Sequence, residues 1–141
     1  MSRQALVLDA NILIRAVLGQ KVFKLLNEYH GTTAFFAPDD AFADAEKYLP
    51  QIFEKRGLDW DVGATVLRRL PTLVQCVDHD IYSEFETKAR QRIRDTRDWP
   101  VLATALALDS PVWTEDQDFF GSGVATWNTG TVLMYLIGVD R

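Results

Sequence analysis

The chain has 141 residues, 48% of them hydrophobic and 25% charged, which suits one compact domain with a core of its own and excludes a largely disordered protein. A formal net charge of −5 argues against coating nucleic acid through bulk electrostatics, although carboxylates that hold cations beside a local basic stripe would still let an acidic protein act on phosphates. No apolar run approaches the roughly 20 residues that span a bilayer, Met1-Ser2-Arg3-Gln4 shows no signal-peptide core, and Cys76 has no second cysteine to pair with, so a soluble cytoplasmic protein is expected.

Ala5-Leu6-Val7-Leu8 is a continuous apolar run ended by Asp9, and Ile12, Leu13, Ala16 and Val17 then recur at helical spacing up to Gly19. A second helix fits Val22, Phe23, Leu25, Leu26 and Tyr29, and Thr33 to Ala37 reads as a second buried strand stopped by Pro38. Asp39 or Asp40 can cap the next helix, with Ala41, Ala45, Tyr48, Leu49, Ile52 and Phe53 facing the core and Pro50 bending or interrupting it. Val62 to Leu70 predicts a helix, Leu73 to Val77 a strand with Cys76 buried in it, and Asp80 to Arg94 one long polar helix. Asp98-Trp99-Pro100 opens an Ala- and Leu-rich helix through Leu108, with proline in the first turn where a missing N–H costs little. Pro111 to Thr114 and Val124 to Trp127 predict two further strands, separated by a helical turn from Asp116 to Phe120, and Val132 to Leu136 a terminal helix. Strands alternating with helices predict an α/β sandwich with a mainly parallel sheet, residues 1–141 forming a single domain.

Carboxylates recur where strands end. Asp9 follows the first strand, Asp116 follows the strand at Val112-Trp113, and Asp98 leads a helix, so all three belong at the strand-end edge where open α/β sheets form their ligand crevice. Each alone reads equally well as a helix cap. Gathered at one edge they would repel one another unless cations neutralised them, and all-oxygen ligation favours Mg²⁺ or Mn²⁺ over zinc.

These residues resemble the PIN-domain nucleases, including the toxins of VapBC-type toxin–antitoxin pairs. The similarity lies in Asp9 with Asn11, in Asp98 leading a helix with Ala103-Thr104-Ala105, and in the run Thr114, Asp116, Asp118, Phe119, with order and spacing agreeing over nearly the whole chain. The resemblance implies a three-layer α/β/α sandwich, Mg²⁺- or Mn²⁺-dependent hydrolysis of RNA phosphodiester bonds, an antitoxin protein as partner, and a homodimer. It further implies an acidic residue about six positions beyond a proline on the helix after the second strand. Counting from Pro38 reaches Asp44 where the family has Glu, while Glu46 lies two residues later, and helical periodicity does not choose between them.

On this reading Asp9, Asp44, Asp98 and Asp116 are catalytic, with Glu46 and Asp118 as further candidate metal ligands and Asn11, Thr114 and Asp95 as orienting neighbours. Lys88, Arg90, Arg92, Arg94 and Arg97 form the one basic run; Arg90, Arg94 and Arg97 are candidates to guide RNA, with a solvated helix face as the plain alternative. Trp99 and Trp113 read more readily as core than as base-stacking surfaces, and neither His30 nor His79 has a catalytic partner in sequence. A haloacid-dehalogenase-type phosphatase would need a second Asp where this chain has Asn11. A non-catalytic PIN-like module for RNA or protein binding remains the second reading.

Overall fold

The computed structural model describes residues 4–138, so the leader reading of residues 1–3 lies outside it. Its five strands are β1 (Gln4–Leu8), β2 (Thr33–Pro38), β3 (Val74–Val77), β4 (Val112–Trp113) and β5 (Thr126–Trp127). They form one parallel sheet in the order β3-β2-β1-β4-β5. Central β1 pairs Leu6 with Phe35 on one side and Leu8 with Trp113 on the other. The chain leaves β1 toward β2 and returns on the opposite side at β4, so the ends of β1 and β4 flank the topological switch point.

The helices are α1 (Ala10–Leu18), α2 (Lys21–Tyr29), α3 (Asp39–Lys55), α4 (Trp60–Arg69), α5 (His79–Tyr82), α6 (Glu86–Arg92), α7 (Trp99–Leu108) and α8 (Val132–Ile137). One core, built on Leu6, Leu8, Ile12, Leu13, Phe35 and Trp113, joins α1 to α4 and α8 to one face of the sheet. A second, around Val7, Tyr82, Leu102, Val112 and Phe119, joins α5 to α7 to the other face. The result is the expected α/β/α sandwich. Because both faces are covered, the strand at Leu6-Val7-Leu8 is apolar throughout rather than alternating, and α7 is buried from Pro100 to Ala105.

Several local expectations are corrected. Cys76 is exposed rather than buried, because β3 is an edge strand that pairs only with β2. The helix expected from Asp80 to Arg94 is instead α5, a 3-10 turn at Ser83–Phe85, and α6. The break follows from burying Tyr82, whose hydroxyl donates to Asp39 Oδ1 at 2.5 Å and ties α5 to the start of α3. Asp39 is therefore committed to that tie and to the His79 N–H at 3.1 Å, while Pro38 takes the N-cap position that Asp39 or Asp40 was expected to fill. Helix α3 continues through Pro50 without interruption; the carbonyl deprived of its donor belongs to Glu46, an exposed residue that water can serve. Tyr48 is 43% exposed instead of buried in the core. Trp113 is fully buried, its indole N–H donating to Thr129 Oγ1 at 3.1 Å, and so offers no stacking face.

Candidate metal centre

Asp9 occupies the turn from β1 into α1 and is only 7% exposed. Its Oδ1 accepts the Ile12 N–H at 3.0 Å, so it does cap α1, while its Oδ2 accepts the hydroxyl of buried Thr114. Thr114 Oγ1 in turn accepts the Asp116 N–H at 2.9 Å, which links the ends of β1 and β4 through one side chain. Burial pushes the Asp9 carboxyl up to about 6, with the charges of Asp116 and Glu115 adding to the rise and the bonds from Thr114 and Ile12 opposing it.

Asp98 differs in a telling way: it sits at the N-cap position of α7, yet its side chain makes no capping bond. Its Oδ2 is buried without a hydrogen-bond partner. Burial raises its carboxyl to about 7, aided by the neighbouring Asp116 carboxylate, whose charge and hydrogen-bonding reach both favour the protonated form, and then by the charges of Asp95 and Asp9. Asp116 caps the short 3-10 turn at Gln117–Phe119, its Oδ1 accepting the Asp118 N–H at 2.9 Å.

A cleft of about 160 Å³ brings together Asp9, Asn11, Asp40, Asp44, Asp98 and Asp116. Four separate stretches of chain thus place five carboxylates on one cavity, with Tyr48 and Arg97 also lining it. Asp44 lines this cleft and Glu46, which is exposed, does not. Asp40 was read from sequence only as a cap, yet it lies one helical turn before Asp44 and shares the cleft; burial, then Asp44 and Asp39, raises its carboxyl. The signal was partial, since Asp40 lies two residues beyond the end of β2 with Asp39 between, whereas Asp9 directly follows β1.

Asp95, Asp98 and Asp118 form the group, among the described residues, whose ligand oxygens all lie within 4.8 Å of one another. Asp95 and Asp118 therefore stand beside Asp98, while Asp9, Asp44 and Asp116 meet it through the cleft. Arg97 pairs with Asp95 at 2.9 Å at the rim. Arg90 is held by Glu86 at 2.8 Å and lies over the Trp99 ring at 5.3 Å, and Arg94 is exposed off the cleft. Asn11 lines the cleft without bonding Asp9, whose partners are Ile12 and Thr114. An all-carboxylate donor set, an orphaned buried oxygen on Asp98 and carboxyls raised by burial and then by one another's charge together fit a hard divalent cation of the Mg²⁺ or Mn²⁺ kind.

A family model described as the PIN domain matches residues 7–137. The chain belongs to the PIN-domain family. No curated protein sequence matches it closely enough to extend that assignment. Solved structures share the PIN fold at low identity. A protein from Pyrobaculum aerophilum aligns with a TM-score of 0.72 at 16% identity, covering 96% of this chain and 90% of that one. VapBC2 from Rickettsia felis, bound to a DNA fragment from its promoter, aligns at 0.63 and 15% identity over 89% of this chain and 98% of that one. A toxin–antitoxin complex from Klebsiella pneumoniae aligns at 0.57 and 20% identity over 87% and 96%. In this PIN domain the residues at the three motif positions, Asp9, Asp98 and Asp116, all reach the same cleft.

Proposed function

We propose that this PIN domain is a divalent-metal-dependent endoribonuclease that hydrolyses RNA phosphodiester bonds, as the toxin of a toxin–antitoxin pair. The observation that carries the reading is the convergence of Asp9, Asp40, Asp44, Asp98 and Asp116 on one cleft at the switch point, with Asp98 Oδ2 buried and unpartnered. Such a group is electrostatically unfavourable by itself and becomes favourable around a cation.

Asp9, Asp44, Asp98 and Asp116 would hold Mg²⁺ or Mn²⁺, with Asp118 and Asp95 completing the acidic surroundings of Asp98. When bound, the cation supplies a water made nucleophilic near neutral pH and neutralises charge on the phosphodiester. Thr114 fixes the Asp9 carboxylate by donating to Oδ2 while its oxygen anchors the Asp116 backbone, so the two carboxylates keep one relative position. Arg97, exposed at the cleft rim and paired only with a surface carboxylate, is placed to exchange Asp95 for an RNA phosphate. The α8 side chains Leu133, Met134 and Ile137 are about half exposed and would suit contact with a second chain, whether the antitoxin or another copy. No helix among the described residues is long and apolar enough to cross a membrane, and the reading places the enzyme in the cytoplasm.

The test is cleavage of RNA by purified protein with Mg²⁺ or Mn²⁺, against EDTA and the Asp9→Asn and Asp116→Asn variants. Activity that needs the cation and disappears in both variants is expected. Undiminished cleavage in both would place the activity elsewhere and sink the reading.

A further inference from the structure

Away from the acidic cleft, the fold assembles a cationic pocket that the sequence does not announce. Arg15 on α1, Lys21 at the start of α2 and Arg56 just after α3 line a cavity of about 420 Å³ with Leu18, Gln20 and Thr129. These cations are up to 41 positions apart in a chain of net charge −5, and no carboxylate lines the cavity with them. All three side chains belong to exposed residues, and none forms an ion pair within 4.0 Å among the described residues. Outside the lining, Glu115 is held below the usual carboxylate range against its burial by the Thr129 N–H at 2.6 Å and by the Arg15 and Lys21 charges. With three cations and no carboxylate in its lining, the pocket is cationic.

Its position relates it to the cleft. Asn11 lines the cleft, Arg15 lines the pocket, and the two are exposed one turn apart on the same face of α1, followed by Leu18. From Asn11 to Leu18 the helix advances about 10 Å, roughly the rise of three stacked nucleotides. Asp116 lines the cleft, and its sequence neighbour Glu115 feels the charges of Arg15 and Lys21 from the pocket. A single strand seated at the carboxylates and running along α1 therefore meets the cations within a few nucleotides.

We propose that the Arg15–Lys21–Arg56 pocket binds a backbone phosphate of the RNA strand flanking the scissile bond, and so sets the path of the substrate along α1. This rests on the ribonuclease reading. It also shifts the weight of RNA binding away from Arg90, which Glu86 and Trp99 already engage.

The test measures binding of a fluorescent single-stranded RNA oligonucleotide to the full chain carrying Asp116→Asn, in EDTA, across a series of salt concentrations. Adding Arg15→Gln, Lys21→Gln and Arg56→Gln together should lower affinity at least about tenfold and reduce the salt slope by about 0.7, the share of the one phosphate that the protein no longer neutralises. Replacing three other exposed cations, Arg68, Arg69 and Lys88, by Gln corrects for bulk charge and should change the slope far less. Thermal melting and Mn²⁺ affinity should match the parent, since none of the three side chains is buried or in the cleft. Equal losses in the two triple variants, or an unchanged slope in the first, would overturn the pocket while leaving the ribonuclease reading intact. A pocket variant that loses affinity for inorganic phosphate but keeps its RNA affinity would show a small-anion site and overturn the proposal too. A parent that binds no RNA in EDTA would overturn the pocket, which needs no metal, while the cleavage test decides the ribonuclease reading separately.

Discussion

Replacing Asp9 by Asn separates the electrostatic cost of the acidic cluster from its use. Asp9 is almost fully buried and its carboxyl is raised from 3.8 to about 6, so in the metal-free protein the ionised form is disfavoured by about 3 kcal/mol, at 1.36 kcal/mol for each pH unit. A folded-state value above the unfolded one gives stability that is complete below about pH 4 and is lost as pH rises through about 6. Asn keeps an acceptor for the Ile12 N–H but weakens the bond from the Thr114 hydroxyl, a loss of about 1 kcal/mol. In EDTA at pH 8, Asp9→Asn should therefore be more stable than the natural chain by about 2 kcal/mol, raising Tm by about 5–10 °C. The difference should fade toward pH 4. Mn²⁺ at about a hundred times its Kd should stabilise the natural chain by about 2.7 kcal/mol and reverse the order. Thermal melts by circular dichroism at pH 4, 6 and 8, with and without Mn²⁺, supply the measurement. A variant that is less stable at pH 8 in EDTA, or a difference that ignores pH, would refute the idea that Asp9 carries an uncompensated buried charge.

Thr114→Val tests the link between β1 and β4: it removes the donor to Asp9 and the acceptor for the Asp116 N–H with little change in shape, and should cost about 1–3 kcal/mol in chemical denaturation. Mn²⁺ affinity by calorimetry should fall about 10–100-fold, since the carboxylates lose their common anchor. Asp44→Asn should also weaken Mn²⁺ binding and cleavage, whereas Glu46→Gln, on an exposed residue outside the cleft, should leave both within about twofold; the reverse ranking would move the fourth ligand to Glu46.

The alternation of apolar runs with helical periods was enough to read the α/β/α layering, because a strand covered on both faces, such as Leu6-Val7-Leu8, must be apolar throughout. The same local rules placed Asp9, Asp98 and Asp116 at element ends, where the sheet's geometry gathers them. Failures came where a residue's surroundings belong to another part of the chain. Cys76 lies in an apolar run but on an edge strand, which strand order alone decides. Tyr82 was read as part of one polar helix because its partner, Asp39, is 43 residues away.

What the sequence determined by itself was the set of elements and the chemistry at their ends, since both follow from short-range periodicity and from which side chains stop a strand. Tertiary structure alone decided which carboxylates share a cavity: it gave Asp44 a place in the cleft over Glu46, added Asp40, and left Asp98 Oδ2 without a partner. It also drew Arg15, Lys21 and Arg56 into one pocket. Repulsion, burial and orphaned hydrogen-bonding capacity are properties of neighbours in space, and the acidic centre acquires its character only when parallel strands bring distant aspartates together.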